Sequence, residues 1–232
     1  MMFFTHVQIG EFLYEQLTKQ EMERFELKRR AFIYGNVKPD ITKMVFLKHQ
    51  FAHTYDLFCD QVNIVMDDSH TDQERSVALG VVSHFLCDFF CKVHAKKPYN
   101  EYSLWKHFWY EWELHSVVRQ DLFGRDFSER QYILDPQGQQ HSSLTGTSTN
   151  KIGEEDNGED NYLYLVDLLY QYYDREESFD TDKDFAFYAI NKTFAKIFGR
   201  EIFLIKDPDS QGISDCSESG KVAEWPNGKV AV

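Results

Sequence analysis

The stretch SHFLCDFFCKVH, Ser83 to His94, decides how this chain reads. A helix repeats every 3.6 residues, so His84 and Asp88 stack one turn apart on one face. Cys91 falls near the same line and His94 about a quarter turn round. The intervening positions are Phe85, Leu86, Phe89 and Phe90. A carboxylate buried among such residues is costly unless it is paired or bound to a cation. The stretch is therefore either a hydrogen-bonded His–Asp pair in a helical core or part of a metal site.

A second group repeats the pattern. In HFWYEWELH, residues 107–115, His107 and Glu111 lie four apart on one helical face and His115 continues it. Two helices that each offer a His and a carboxylate on one face suit a metal site built inside a helix bundle. KHQFAH adds His49 and His53, four apart and expected on one helical face, and His6 stands alone in the first segment. Eight of the nine His fall within the first 115 residues. Asp40 follows Pro39 in YGNVKPD, which reads as a loop marked by Gly35 and Pro39, stiff enough to aim a carboxylate into one end of a bundle.

Outward from these groups, helical periodicity dominates and no strand alternation is evident, so the fold class is all-α. The helical segments expected are one through Val7, Ile9, Phe12, Leu13 and Leu17, one over 21–32, a long one from about Thr42 to Met66, and one opened by Thr71 and Glu74. That last pair forms a capping-box pattern. A fifth runs from Tyr102 to Phe123, stopped by Gly124. Segments 162–173 and 181–198 are expected to pack on the outside, the second ending at Gly199. Residues 138–161 are rich in Gln, Ser, Thr, Gly and acids and read as a mobile loop. Residues 1–205 are thus expected to form one helical domain, followed by a polar, disordered tail over 206–232. Within that tail Asp207, Asp209, Gln211, Gly212, Asp215 and Glu218 are spaced like a calcium loop, but Gly220 and Pro226 spoil the exiting helix, and a solvated acidic tail is the better reading.

The formal charge of −13 opposes nonspecific nucleic-acid binding, which depends on Lys and Arg displacing counterions. No apolar run is long enough to span a bilayer, and the N-terminus lacks the basic start and apolar stretch of a signal peptide, so the expected location is cytoplasmic. Four Cys in 232 residues are no disulfide framework. Cys59, Cys87 and Cys91 read as reduced core filler.

Taken in order, the early His6, the GNxKPD loop with Asp40, His49, His84-x3-Asp88-x5-His94 and His107-x3-Glu111 resemble the zinc-dependent phospholipase C family. The resemblance covers roughly residues 6–123. It implies an all-α fold with two or three zinc ions in a cleft: His49, His84 and Asp88 on one, His94, His107 and Glu111 on a second, and His6 on a third with Asp88 bridging to the first. It implies Asp40 as general base beside a metal-activated water. In the family an N-terminal Trp completes the third site with its amino group and carbonyl. This chain begins Met1–Met2, so Met1 or a water would stand in. His53 and His115 would orient ligands.

Imidazole and carboxylate ligands without thiolates leave zinc electrophilic, and the class implied is a hydrolase acting on a phosphodiester. The substrate expected is a phospholipid, cleaved to diacylglycerol and a phosphorylated head group, with peripheral membrane contact. The alternatives are a single-strand nuclease of the related zinc branch and a catalytically silent zinc protein. Trp105, Phe108, Trp109 and Trp112 either line an acyl-facing cleft or pack in the core.

Overall fold

Helix α5 (Asp72–Phe89) is the axis of the molecule: every residue from Ala78 to Phe89 is buried. A helix with no polar face has no stable place except the centre of a fold. Its start is the predicted capping box. The Thr71 side chain accepts from the Glu74 N–H, and the Glu74 carboxylate accepts from the Thr71 N–H at 2.9 Å.

The computed structural model describes residues 1–42, 49–95, 104–123, 162–200 and 202. Around α5 lie α1 (Phe3–Gln16), α2 (Lys19–Arg24), α3 (Arg29–Ile41), α4 (Phe51–Met66), α6 (Lys92–Ala95), α7 (Leu104–Phe123), α8 (Tyr164–Asp174) and α9 (Phe179–Phe198). The described residues contain no strand, in keeping with the all-α expectation. None of their helices is long and apolar enough to cross a membrane. The loop expected over 138–161 and the tail over 206–232, with its acidic stretch, lie outside the described residues.

Four expectations are corrected. GNVKPD is not a loop, because α3 runs through Gly35 and Pro39 to Ile41. Its buried face, Phe32, Gly35, Asn36, Val37 and Pro39, packs along α5 and outweighs the local preference against helix before proline. The crossing is so close that a Cβ on Gly35 would lie 2.2 Å from the Val77 carbonyl oxygen, and one on Gly80 would lie 2.2 Å from that of Phe32. Glycine at both positions lets the two backbones touch.

The helix expected from Thr42 to Met66 begins only at Phe51. Thr42 is the extended C-cap of α3 and Gln50 the extended N-cap of α4. His49 therefore precedes the helix and is buried, whereas His53 sits in the first turn and is exposed, so the two share no face. The segment expected over 21–32 is likewise two helices, broken at Phe25–Lys28, where Glu26 takes a φ of +48°.

The fourth correction concerns α9, which is a wall of the core rather than an outer addition. Ala186, Ala189, Ile190 and Phe194 are fully buried, and the helix packs directly on α5. Gly199 ends it at φ +83°, a left-handed conformation that glycine adopts without a Cβ clash.

Candidate metal centre

The end of α5 carries the centre. The helix stops at Phe89, and the Cys91 N–H turns back to the Asp88 carbonyl at 3.2 Å. The short α6 then presents His94. A continuous helix would set His94 about 120° round from Asp88 and about 9 Å further along; the break after Phe89 instead lets its Nε2 lie 3.8 Å from Asp88 Oδ1.

Asp88 is completely buried. Its Oδ2 lies 2.9 Å from His49 Nδ1 and 3.2 Å from His84 Nε2. Its Oδ1 lies 3.4 Å from His6 Nε2 and 3.8 Å from His94 Nε2. Asp40, at the end of α3 and the most exposed member, places Oδ1 3.8 Å from both His49 Nδ1 and His84 Nε2, and Oδ2 4.0 Å from His6 Nε2. One potential ligand atom from each of Asp40, His49, His84 and Asp88 falls within 4.8 Å of the others. His94, His107 and Glu111 form a second such group, with Glu111 Oε1 3.0 Å from His94 Nε2 and 3.1 Å from His107 Nε2.

The hydrogen-bond directions specify what the first group can hold. His84 Nδ1 lies 2.9 Å from the Asn36 backbone carbonyl, which only accepts, so Nδ1–H is the donor. In the neutral ring Nε2 then carries the lone pair, and it faces the Asp88 carboxylate and the nitrogen of His49 at 3.3 Å. Lone pairs converging in a buried pocket call for a cation between them. Both ring nitrogens of His6 and Nδ1 of His94 are buried without a hydrogen bond. Burial, with His84 stacked at 4.0 Å between ring centroids, pushes the His6 pKa down to about 4 and keeps the ring neutral. Neutral imidazoles and ionised carboxylates are the protonation states that zinc requires. The donor set fits that ion.

The α-ammonium of Met1 is enclosed between the two groups, paired with Asp88 Oδ1, 3.1 Å from His94 Nε2 and 3.4 Å from Glu111 Oε1. Burial by itself would lower its pKa, but the charges of Asp88 and Glu111 hold it well above its usual value. Burial would likewise raise both carboxyl groups. The Met1 ammonium and the neighbouring histidines instead keep Asp88 and Glu111 far below the usual carboxylate range. Burial would lower His49, but the hydrogen bond to Asp88 and the charges of Asp88 and Asp40 together raise it.

All eight residues singled out in the sequence, His6, Asp40, His49, His84, Asp88, His94, His107 and Glu111, converge on this region. His53 and His115 do not join either group: His53 is exposed, and His115 Nδ1 lies 3.0 Å from Thr5 Oγ1. Cys87 and Cys91 are buried free thiols whose pKa values are driven up by burial, so neither offers a thiolate. Asn36 is the residue the sequence reading missed. Its carbonyl orients His84, and its side-chain oxygen accepts from Ser83. The Asn of GNVKPD was visible, but a loop assignment hid its register against α5.

Residues 5–178 match the family described as zinc dependent phospholipase C. This chain belongs to that family, and with it to the zinc-dependent hydrolases. No curated protein and no solved structure matches the chain.

Proposed function

We propose that this protein is a phospholipase C that hydrolyses the glycerol side of a phospholipid phosphodiester, releasing diacylglycerol and a phosphorylated head group. The observation that carries the proposal is the orientation of His84, whose Nε2 lone pair is fixed toward Asp88 by the Asn36 carbonyl. His49, His84 and Asp88 would hold one zinc ion and His94, His107 and Glu111 another, with His6 beside Asp88 as the ligand of a third. Bound zinc supplies Lewis acidity that lowers the pKa of water and offsets charge developing on phosphate oxygens.

Asp40 is the group proposed to take the proton from the attacking water. Its carboxylate is 22% exposed, whereas that of Asp88 is fully enclosed, so it alone of the first group's carboxylates meets incoming solvent. The buried Asp88 is spent on imidazoles.

Contact with a lipid surface is supported by α7. Trp105, Phe108, Trp109 and Trp112 recur at helical spacing and are 48–81% exposed, so core packing does not describe them. Trp105 and Trp109, with Lys106, Tyr110 and Glu113, line a shallow surface groove. Indole rings favour the water–lipid interface. Replacing Trp105 and Trp109 by Ala should weaken binding to phosphatidylcholine vesicles while leaving turnover of a soluble phosphodiester unchanged.

The test of the whole proposal is elemental zinc content, measured with hydrolysis of phosphatidylcholine vesicles and of a soluble chromogenic phosphodiester on one preparation. Bound zinc with chelator-sensitive release of phosphocholine supports it. Zinc without turnover of either substrate sinks it, as does cleavage of single-stranded DNA in their place.

A further inference from the structure

Helix α9 supplies no member of the metal centre and begins beyond the family-matched residues. Yet Asp182, in its first turn, is 1% exposed and, among the described residues, accepts hydrogen bonds from Lys92, Tyr110 and Tyr172. Its Oδ2 accepts from the Lys92 backbone N–H at 2.9 Å and from the Tyr110 hydroxyl at 2.7 Å. Its Oδ1 accepts from the Tyr172 hydroxyl at 2.6 Å.

Lys92 stands two residues before His94, and Tyr110 immediately precedes Glu111. A single carboxylate oxygen thus ties the backbone of α6 to a side chain of α7, the two segments that form the His94–His107–Glu111 group. We propose that Asp182 is a positioning residue for that group, holding His94 and Glu111 at ligand spacing. The inference rests on the ligand assignment proposed above.

The physical need is clear from α6. At four residues it is too short to hold its own conformation. It is fixed from outside at both ends: Asp182 takes its first N–H, and the Tyr173 hydroxyl donates to the Ala95 carbonyl at 3.1 Å. Hydrogen bonds to an ionised acceptor are roughly twice as strong as neutral ones. An ionised carboxylate can also accept at both oxygens, whereas an amide in its place offers one oxygen for three donors. The His94 Nε2 to Glu111 Oε1 spacing of 3.0 Å therefore depends on a residue that touches neither.

A merely structural Asp182 would act equally through all its partners. A positioning one acts through Tyr110 and Lys92, which sit on α7 and α6, whereas Tyr172 sits on α8, which supplies no member of the group. The test is zinc affinity of the full chain by competition with a chromogenic chelator, alongside Tm. The reference is the zinc that His107→Ala removes. Asp182→Asn and Tyr110→Phe are each expected to weaken that zinc by about 10–100-fold, the usual effect of losing an outer-shell partner, while leaving zinc at the His49–His84–Asp88 group unchanged. Tyr172→Phe is expected to lower Tm with no change in affinity.

Unchanged affinity in Tyr110→Phe, or an equal loss in Tyr172→Phe and Tyr110→Phe, would overturn the inference. That comparison decides the matter even if Asp182→Asn fails to fold. If His107→Ala removes no zinc, the ligand assignment itself is at fault and the positioning role falls with it. The His107 control thus tells the two failures apart.

Discussion

The Nδ1–H of His84 donates to the carbonyl oxygen of Asn36 across the close crossing of α3 and α5. The backbone of α3 therefore sets the tautomer of a side chain on α5, and the approach of Gly35 to Gly80 sets where that carbonyl lies. Packing and site chemistry are coupled at this point.

Gly35→Ala should show that coupling. The added methyl meets backbone atoms, which cannot swing aside as a side chain would. Overpacking of this kind costs about 1–3 kcal/mol, or a Tm loss of roughly 2–4 °C per kcal/mol for a chain of this size. Zinc affinity should fall in parallel as the Asn36 carbonyl shifts. A Tm and affinity equal to wild type would show that the helices separate without consequence.

Asp88→Asn is expected to be the most damaging isosteric change in the centre. It removes a fully buried charge that faces four imidazoles and the Met1 ammonium. Removing one partner of a buried ion pair costs about 3–5 kcal/mol. The metal-free variant should melt earlier in calorimetry, and zinc affinity should fall by more than about 100-fold, beyond the usual cost of losing an outer-shell partner. Retention of full zinc content after dialysis would remove Asp88 from the ligand set.

Asp40→Asn should separate binding from turnover. The general-base role predicts zinc content near wild type with kcat lowered about 10²–10⁴-fold. Equal activity would end the general-base assignment. Loss of zinc would reassign Asp40 to the ligands, a role its place beside His49 and His84 also permits.

The metal-free protein should lose stability as the pH falls from about 6.5 to about 4. Folded His6 has its pKa pushed down to about 4, against 6.5 when unfolded, so across that window the unfolded chain binds the extra proton. Stability therefore drops by up to about 1.4 kcal/mol per pH unit for such a group. His94 is shifted the same way. His49, raised when folded, contributes stability already complete below pH 6.5 and does not counter the slope there. Chelator-treated protein melted across this range should show the decline, and His6→Asn should flatten it. A decline of the same slope in His6→Asn would assign it to other groups.

The chemistry of the centre was legible because metal ligation leaves a spacing signature: His84 and Asp88, then His107 and Glu111, are four apart on helices that did form. Its assembly was less legible. Gly35 and Pro39 read as punctuation because local preference favours turns there, and only the packing of α3 on α5 overrides it. His49 and His53 share a spacing but not a helix, since α4 starts only at Phe51. The role of α9 was hidden for a similar reason. Its periodicity announced an apolar face but not that the face would meet α5.

The first group draws Asp40 from α3, His49 from just before α4, and His84 and Asp88 from α5, with His6 of α1 beside Asp88. These segments meet only when the chain has closed on itself, and an unfolded chain offers zinc no comparable site. An ion that binds only the folded form adds RT ln(1 + [Zn]/Kd) to its stability, about 2.7 kcal/mol at a hundredfold excess over Kd. Zinc supply would then govern how long each molecule survives proteolysis as well as how fast it works, so that scarcity thins the population of the enzyme instead of leaving an idle stock.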